Sequence, residues 1–136
     1  MRVLRLADRT HILVALANRG NEEDKAIAAI WRRVVLRIPD VRFVDSLLDA
    51  DLAIVLSARE VRSQDHSVMA YVWHAKIVQP CKLDCAAPRE TYYLEQPQIE
   101  FMNYAASLGS AGEMIQKSVN SIEDTQIQLI REEKRR

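Results

Sequence analysis

The feature that most constrains the fold is a pair of apolar runs, "LAIVLSAREV" from Leu52 and "MAYVWHAKIV" from Met69, on either side of a polar "SQDH". Directly opposed residues of an antiparallel pair share one side of a sheet, so two runs can be tested against each other. With the turn centred between Gln64 and Asp65, Leu52 faces Ile77, Ile54 faces Ala75, Leu56 faces Trp73 and Ala58 faces Tyr71. All eight residues then lie on one side. The other side pairs Ala53 with Lys76, Val55 with His74, Ser57 with Val72 and Arg59 with Ala70, and is more polar. This predicts an antiparallel hairpin with one face on a core and the other partly wet. Gln64-Asp65 lacks the glycine or asparagine favoured in a two-residue turn, so a four-residue loop from Ser63 to His66 is expected.

Ahead of the hairpin, "HILVALA" (11–17) reads as a buried strand ending in the turn signal "NRGN". Asn21 is the expected N-cap of a helix, with Glu22, Glu23 and Asp24 placing negative charge at its positive pole. Ile27, Ile30, Trp31, Val34, Val35 and Ile38 recur at the spacing that lines one helical face. Pro39 disfavours helical geometry at the residue before it, so the helix is expected over 21–38. "DVRFVD" then supplies a short strand through Val41 and Phe43. Strand, helix and strand make a βαβ unit, with parallel strands and a right-handed crossover.

Beyond the hairpin, Pro80, Pro88 and Pro97 punctuate a stretch read as a long irregular loop (80–98). It leaves room for one short strand, at "TYYL" (91–94) or "IEFMNY" (99–104). Ser110 followed by Glu113 has the form of a capping box, and a helix is expected over 110–132. Its stripe is Ala111, Ile115, Val119, Ile122 and Leu129, interrupted by Gln126, and residues 133–136 are expected to be a solvated tail. The sum is a two-layer α+β sandwich in the order β-α-β-β-β-(β)-α. A mixed sheet of four or five strands carries both helices on one face, in a single domain spanning 1–136.

Composition narrows the function classes. The chain has 136 residues, 49% hydrophobic and 28% charged, with nineteen basic side chains balancing nineteen acidic ones. No overall field draws in a nucleic acid, and none is expected as a partner. No apolar run reaches the roughly 18 residues of a membrane helix, so no insertion is expected. "MRVLRLA" falls short of a signal peptide. The expected compartment is the cytoplasm, or the periplasm had a leader been removed.

Chemistry-bearing motifs are sparse. His74, Cys81 and Cys85 lie close in sequence, but a tetrahedral zinc site draws on two close ligand pairs and no second pair exists. No metal is expected. The two cysteines are read as free thiols, with a disulfide left open for an exported protein. Neither is activated as a nucleophile: Asp84 beside Cys85 opposes thiolate formation, and Lys82 helps Cys81 only slightly. No catalytic residue and no cofactor are assigned. The acidic run in "NRGNEED" repels phosphate, and Asp45, Asp49 and Asp51 are read as turn residues rather than a magnesium site. Tyr71 and Trp73 share a face with Leu52, Ile54 and Leu56 and are assigned to the core, whereas an RNA-stacking surface requires them in water. Tyr92, Tyr93, Phe101 and Tyr104, with His74, are the candidates for an interaction surface or a pocket rim.

The strand and helix order, with "VRFVDSLLDADLAIVLSAREV" and the aromatic arm ending at "YVW", resembles the small α/β domain of bacterial envelope lipoproteins. These are the activators of penicillin-binding proteins and the curli-secretion lipoproteins. The resemblance covers about Ile12 to Val78. Read from this sequence, the expected departures are the want of a lipobox cysteine and of a signal peptide and a more acidic first helical turn. It implies protein binding rather than catalysis and carries over no functional residue. The expected function is a non-catalytic interaction domain that self-associates as a homodimer or binds a protein partner. The alternative is a small-ligand protein or enzyme with a pocket between the 80–104 loop and the sheet.

Overall fold

The computed structural model describes residues 10–18, 25–79 and 99–135. Their elements are β1 (Ile12–Asn18), α1 (Lys25–Val35), β2 (Val41–Phe43), a 3₁₀ turn (Leu47–Asp49), β3 (Leu52–Arg62), β4 (Val68–Val78), β5 (Ile99–Ala105) and α2 (Leu108–Ile122). A wide π turn (Glu123–Ile127) then leads into α3 (Gln128–Arg135). The sheet is mixed and five-stranded, ordered β2-β1-β3-β4-β5, with β1 parallel to both β2 and β3 and the remaining pairs antiparallel. This is the α+β sandwich expected from the pattern, and "IEFMNY" forms its fifth strand.

The hairpin forms, but its register differs from the expected one by two residues: Ile54 faces Ile77, Leu56 faces Ala75 and Ala58 faces Trp73. Two local features produce the offset. The loop is closed one residue later than expected, Ser63 donating its N–H to the Ser67 carbonyl at 2.9 Å with His66 in the left-handed region at φ 69°. The Ser63 hydroxyl and the Ser67 N–H both bond the Asp65 carboxylate, and together they hold its pKa down to about 2. Beyond the loop, Arg62 faces Val68 but Val61 faces Ala70, so Met69 is bulged out of the ladder. Loop and bulge each add one residue. Either alone would have exchanged the two faces, and together they restore them.

The dry face is consequently the expected one. Leu52, Ile54, Leu56, Trp73, Ala75 and Ile77 are all buried beneath α1 and α2, and Tyr71 packs partly buried against the same core. The α1 stripe Ile27, Ile30, Trp31, Val34, Val35 and Ile38 is buried throughout, although the helix ends at Val35, three residues before the expected end. Tighter hydrogen bonds to Val34 and Val35 wind the chain down ahead of Pro39. The Arg32 guanidinium sits 4.7 Å over the Phe43 ring, tying α1 to β2. The expected helix start at Asn21 and the loop 80–98 lie outside the described residues.

Two corrections concern the last helix. Its N-cap is Ser107, extended at φ −144° with Oγ accepting the Ser110 N–H at 3.1 Å, so Ser110 belongs to the first turn and does not cap it. The stripe also changes phase. Ala111, Ile115, Val119 and Ile122 are buried as expected, but the π turn adds a residue to the spacing and brings Ile127, Ile130 and Lys134 onto the core side. Leu129, assigned to the stripe, is 59% exposed. The expectation of a solvated tail fails at Lys134, which is buried.

Asp51 is the second correction by burial. It is not a surface turn residue: one carboxylate oxygen accepts the Leu13 N–H at 2.9 Å and lies 2.6 Å from the Lys134 ammonium, which also donates to the His11 carbonyl at 2.6 Å. The pair anchors α3 to the starts of β1 and β3. Nearby, Arg131 grips Asp40 with two hydrogen bonds of 2.8 and 2.7 Å and also reaches Glu123. That fork holds the Asp40 carboxyl below its usual range and pushes the Arg131 guanidinium up.

Candidate interaction face

Which side chains β4 and β5 present outward follows from the two-residue alternation of a strand. Tyr71 faces Ala105, Trp73 faces Asn103, Ala75 faces Phe101 and Ile77 faces Ile99; these pairs look toward the helices. The intervening pairs, Val72 with Tyr104, His74 with Met102 and Lys76 with Glu100, look away from them. Near β1 and β3 this outer side is covered by the segment after β2, where Val44, Leu47 and Ala50 pack on Ala15, Ala53, Val55 and Val78. At β5 it is open among the described residues. Met102 is 74% and Tyr104 72% exposed, beside the half-buried Val72 and His74.

The electrostatics of this face are mild. His74 Nε2 lies 3.3 Å from Glu100 Oε2, and Lys76 stands directly opposite Glu100 on the neighbouring strand. A histidine whose ring partner is a carboxylate, with no hydroxyl or thiol joined to it among the described residues, forms no nucleophile and base pair. Nor do any three His, Cys, Asp or Glu side chains come together to hold a metal ion among the described residues. What the face offers is shape, apolar surface and backbone. Among the described residues, β5 is a sheet edge seven residues long, whereas the opposite edge, β2, has three.

The structure separates the expected site residues. His74 and Tyr104 share the outer face; Phe101 lies on the helix side, partly buried against the core. Tyr92, Tyr93, Cys81 and Cys85 lie outside the described residues, as does most of the loop expected to roof a pocket. The missed residue is Met102. Its signal was the alternation within "IEFMNYA", which sends Glu100, Met102 and Tyr104 to one side and Ile99, Phe101 and Asn103 to the other. No helix among the described residues is long and apolar enough to cross a membrane.

No protein-family model matches the chain, and no curated protein matches it. Among solved structures it is similar to the PelC dodecamer from Paraburkholderia phytofirmans, with 14% identity, 80% of this chain and 84% of that one covered, and a TM-score of 0.45. It is similar to the rare lipoprotein B from Shewanella oneidensis at 15% identity, with 86% and 98% covered and a TM-score of 0.39. A third similarity is to an uncharacterized lipoprotein B from Nitrosomonas europaea, at 16% identity, with 89% and 81% covered and a TM-score of 0.32. Two of the three are described as lipoproteins.

Proposed function

We propose that this chain is a non-catalytic interaction domain that self-associates, a second copy pairing with the β5 edge and the outer face beside it. One observation carries the reading: among the described residues, β5 lacks the lysine, proline, bulge and short length that keep an edge strand from pairing. Edge strands are ordinarily blunted by lysine, proline, a bulge or short length. Ile99–Ala105 contains no lysine, arginine or proline, runs seven residues and pairs with β4 without a register shift.

The strand is also compatible with itself. In an antiparallel pairing about a two-fold axis at Met102, Glu100 falls opposite Tyr104 of the second copy, and Phe101 opposite Asn103. The only formal charge in β5 therefore meets no like charge. Met102 and Tyr104 of both copies then form one apolar strip, of the composition that interface centres favour. A closed two-fold arrangement also consumes the β5 edge of both copies, leaving the three-residue β2 edges.

Sedimentation equilibrium tests this directly. The chain is expected at twice its own mass, and a Met102→Lys, Tyr104→Lys variant at the single mass, with the circular dichroism spectrum of the folded protein retained. A monomeric parent at about 50 µM, well above the micromolar dissociation constants of weak specific dimers, contradicts the reading. So does a variant that stays dimeric.

A further inference from the structure

The outer surface of the helix layer carries a groove unrelated to the sheet edge. It lies between α1 and α2, has a volume of about 440 Å³, and is lined by Arg33, Val34, Arg37, Gly109, Gly112, Glu113, Gln116 and Lys117. That volume falls within the range of small-molecule sites. Three cationic residues and one carboxylate residue line it, all exposed, and among the described residues the side chains of Arg33, Lys117 and Glu113 have no ion-pair or hydrogen-bond partner. The third cation is held in place without being neutralised. Arg37 Nη1 donates to Gln116 Oε1 at 2.7 Å, and Gln116 Nε2 donates to Asn120 Oδ1 at 2.9 Å. A neutral amide pair thus orients the guanidinium and leaves its charge available.

The floor gives a second, independent observation. Glycine is the poorest helix former after proline, yet α2 spends two of the chain's three glycines on the wall of this groove. Among the described residues, no close contact requires either. A Cβ at Gly112 would meet no atom within 4 Å, and one at Gly109 only the Ser107 Oγ at 3.9 Å. The space those side chains would fill is left to the groove.

We propose that this groove binds a phosphorylated small molecule bearing hydroxyl groups, of the sugar-phosphate kind. Arg33, Arg37 and Lys117 take the phosphate, and Glu113 accepts from a hydroxyl. A planar guanidinium fork suits phosphate oxygens, and the uncompensated carboxylate on the same wall selects a ligand that also brings a donor. The volume of about 440 Å³ favours a small molecule over a bare inorganic anion.

The test is amide NMR titration of the full-length chain with ribose 5-phosphate, inorganic phosphate and ribose. Ribose 5-phosphate is expected to move the Gly109, Gly112, Gln116 and Lys117 resonances saturably. Inorganic phosphate should bind at least about tenfold more weakly, and ribose not at all. Arg33→Gln with Lys117→Gln should weaken ribose 5-phosphate about a hundredfold, about tenfold per cation. Gly112→Leu, whose Cβ has no atom within 4 Å and whose side chain takes up groove space, should abolish binding in a chain that circular dichroism shows to be folded. The proposal is overturned by shifts that survive in the double variant, by no saturation up to about 10 mM, or by equal binding of inorganic phosphate. Tighter binding of an acidic peptide or a short oligonucleotide overturns it as well.

Discussion

Replacing Lys134 by methionine removes one charge from a pair that water barely reaches. The two side chains are 2% and 0% exposed, with the ammonium 2.6 Å from Asp51 Oδ2. Methionine keeps the volume of the lysine stem, so the cost is electrostatic rather than a cavity. Asp51 retains the Leu13 N–H but loses its counterion, while its Oδ1 already has no hydrogen-bond partner. Stranding one member of a buried pair costs about 3–5 kcal/mol, a large part of the roughly 5–15 kcal/mol that holds a domain together. In a chain of this length that is a fall in Tm of about 10–20 °C. Asp51→Asn in the same background removes the stranded charge and leaves an amide oxygen for the Leu13 N–H. The double variant should therefore lose only about 1–2 kcal/mol, the worth of one or two hydrogen bonds. Urea unfolding of the parent, Lys134→Met and the double variant measures the coupling. If the double variant is no more stable than Lys134→Met, the uncompensated carboxylate is not the source of the loss and the reasoning fails.

Two smaller predictions come from the helix layer. Gly112→Ala should raise stability by about 1 kcal/mol, because alanine is the better helix former and a Cβ there meets nothing within 4 Å; a lower urea midpoint would show an unseen constraint. The Asp40 pKa is depressed chiefly by its hydrogen bond to Arg131. Its stabilisation is therefore present above the unfolded carboxylate pKa near 4 and is lost as pH falls through the lower folded value. Asp40→Asn should cost about 1 kcal/mol at pH 7, discounted for partial exposure, and less at about pH 3, below the unfolded carboxylate pKa. An equal loss at both pH values would refute the assignment.

How far the sequence reached depends on the range of the interactions involved. The hairpin faces, the α1 stripe, the short β2 and the fold class were legible because each rests on a periodicity of two or 3.6 residues within one segment. The outer position of Tyr104 followed from the same alternation once "IEFMNY" was a strand. Local pattern did not reach the loop closure at Ser67 or the bulge at Met69. Each shifts the ladder by one residue, and their cancellation preserves the faces without leaving a trace in the hydrophobic pattern.

In the hairpin, α1 and the first part of α2, the sequence by itself determined which apolar residues turn inward, since that choice is made by neighbours a few positions apart; past the π turn it misplaced Leu129. The tertiary structure alone decided which polar residues go in with them. The π turn rephases the helix and carries Lys134 to Asp51 and to the His11 carbonyl, 123 residues away, and Arg131 meets Asp40 across 91 residues. The groove likewise exists only where α1 and α2 lie side by side. A charge is tolerated in a dry place only when its partner arrives there too, and that meeting is set by how distant segments pack.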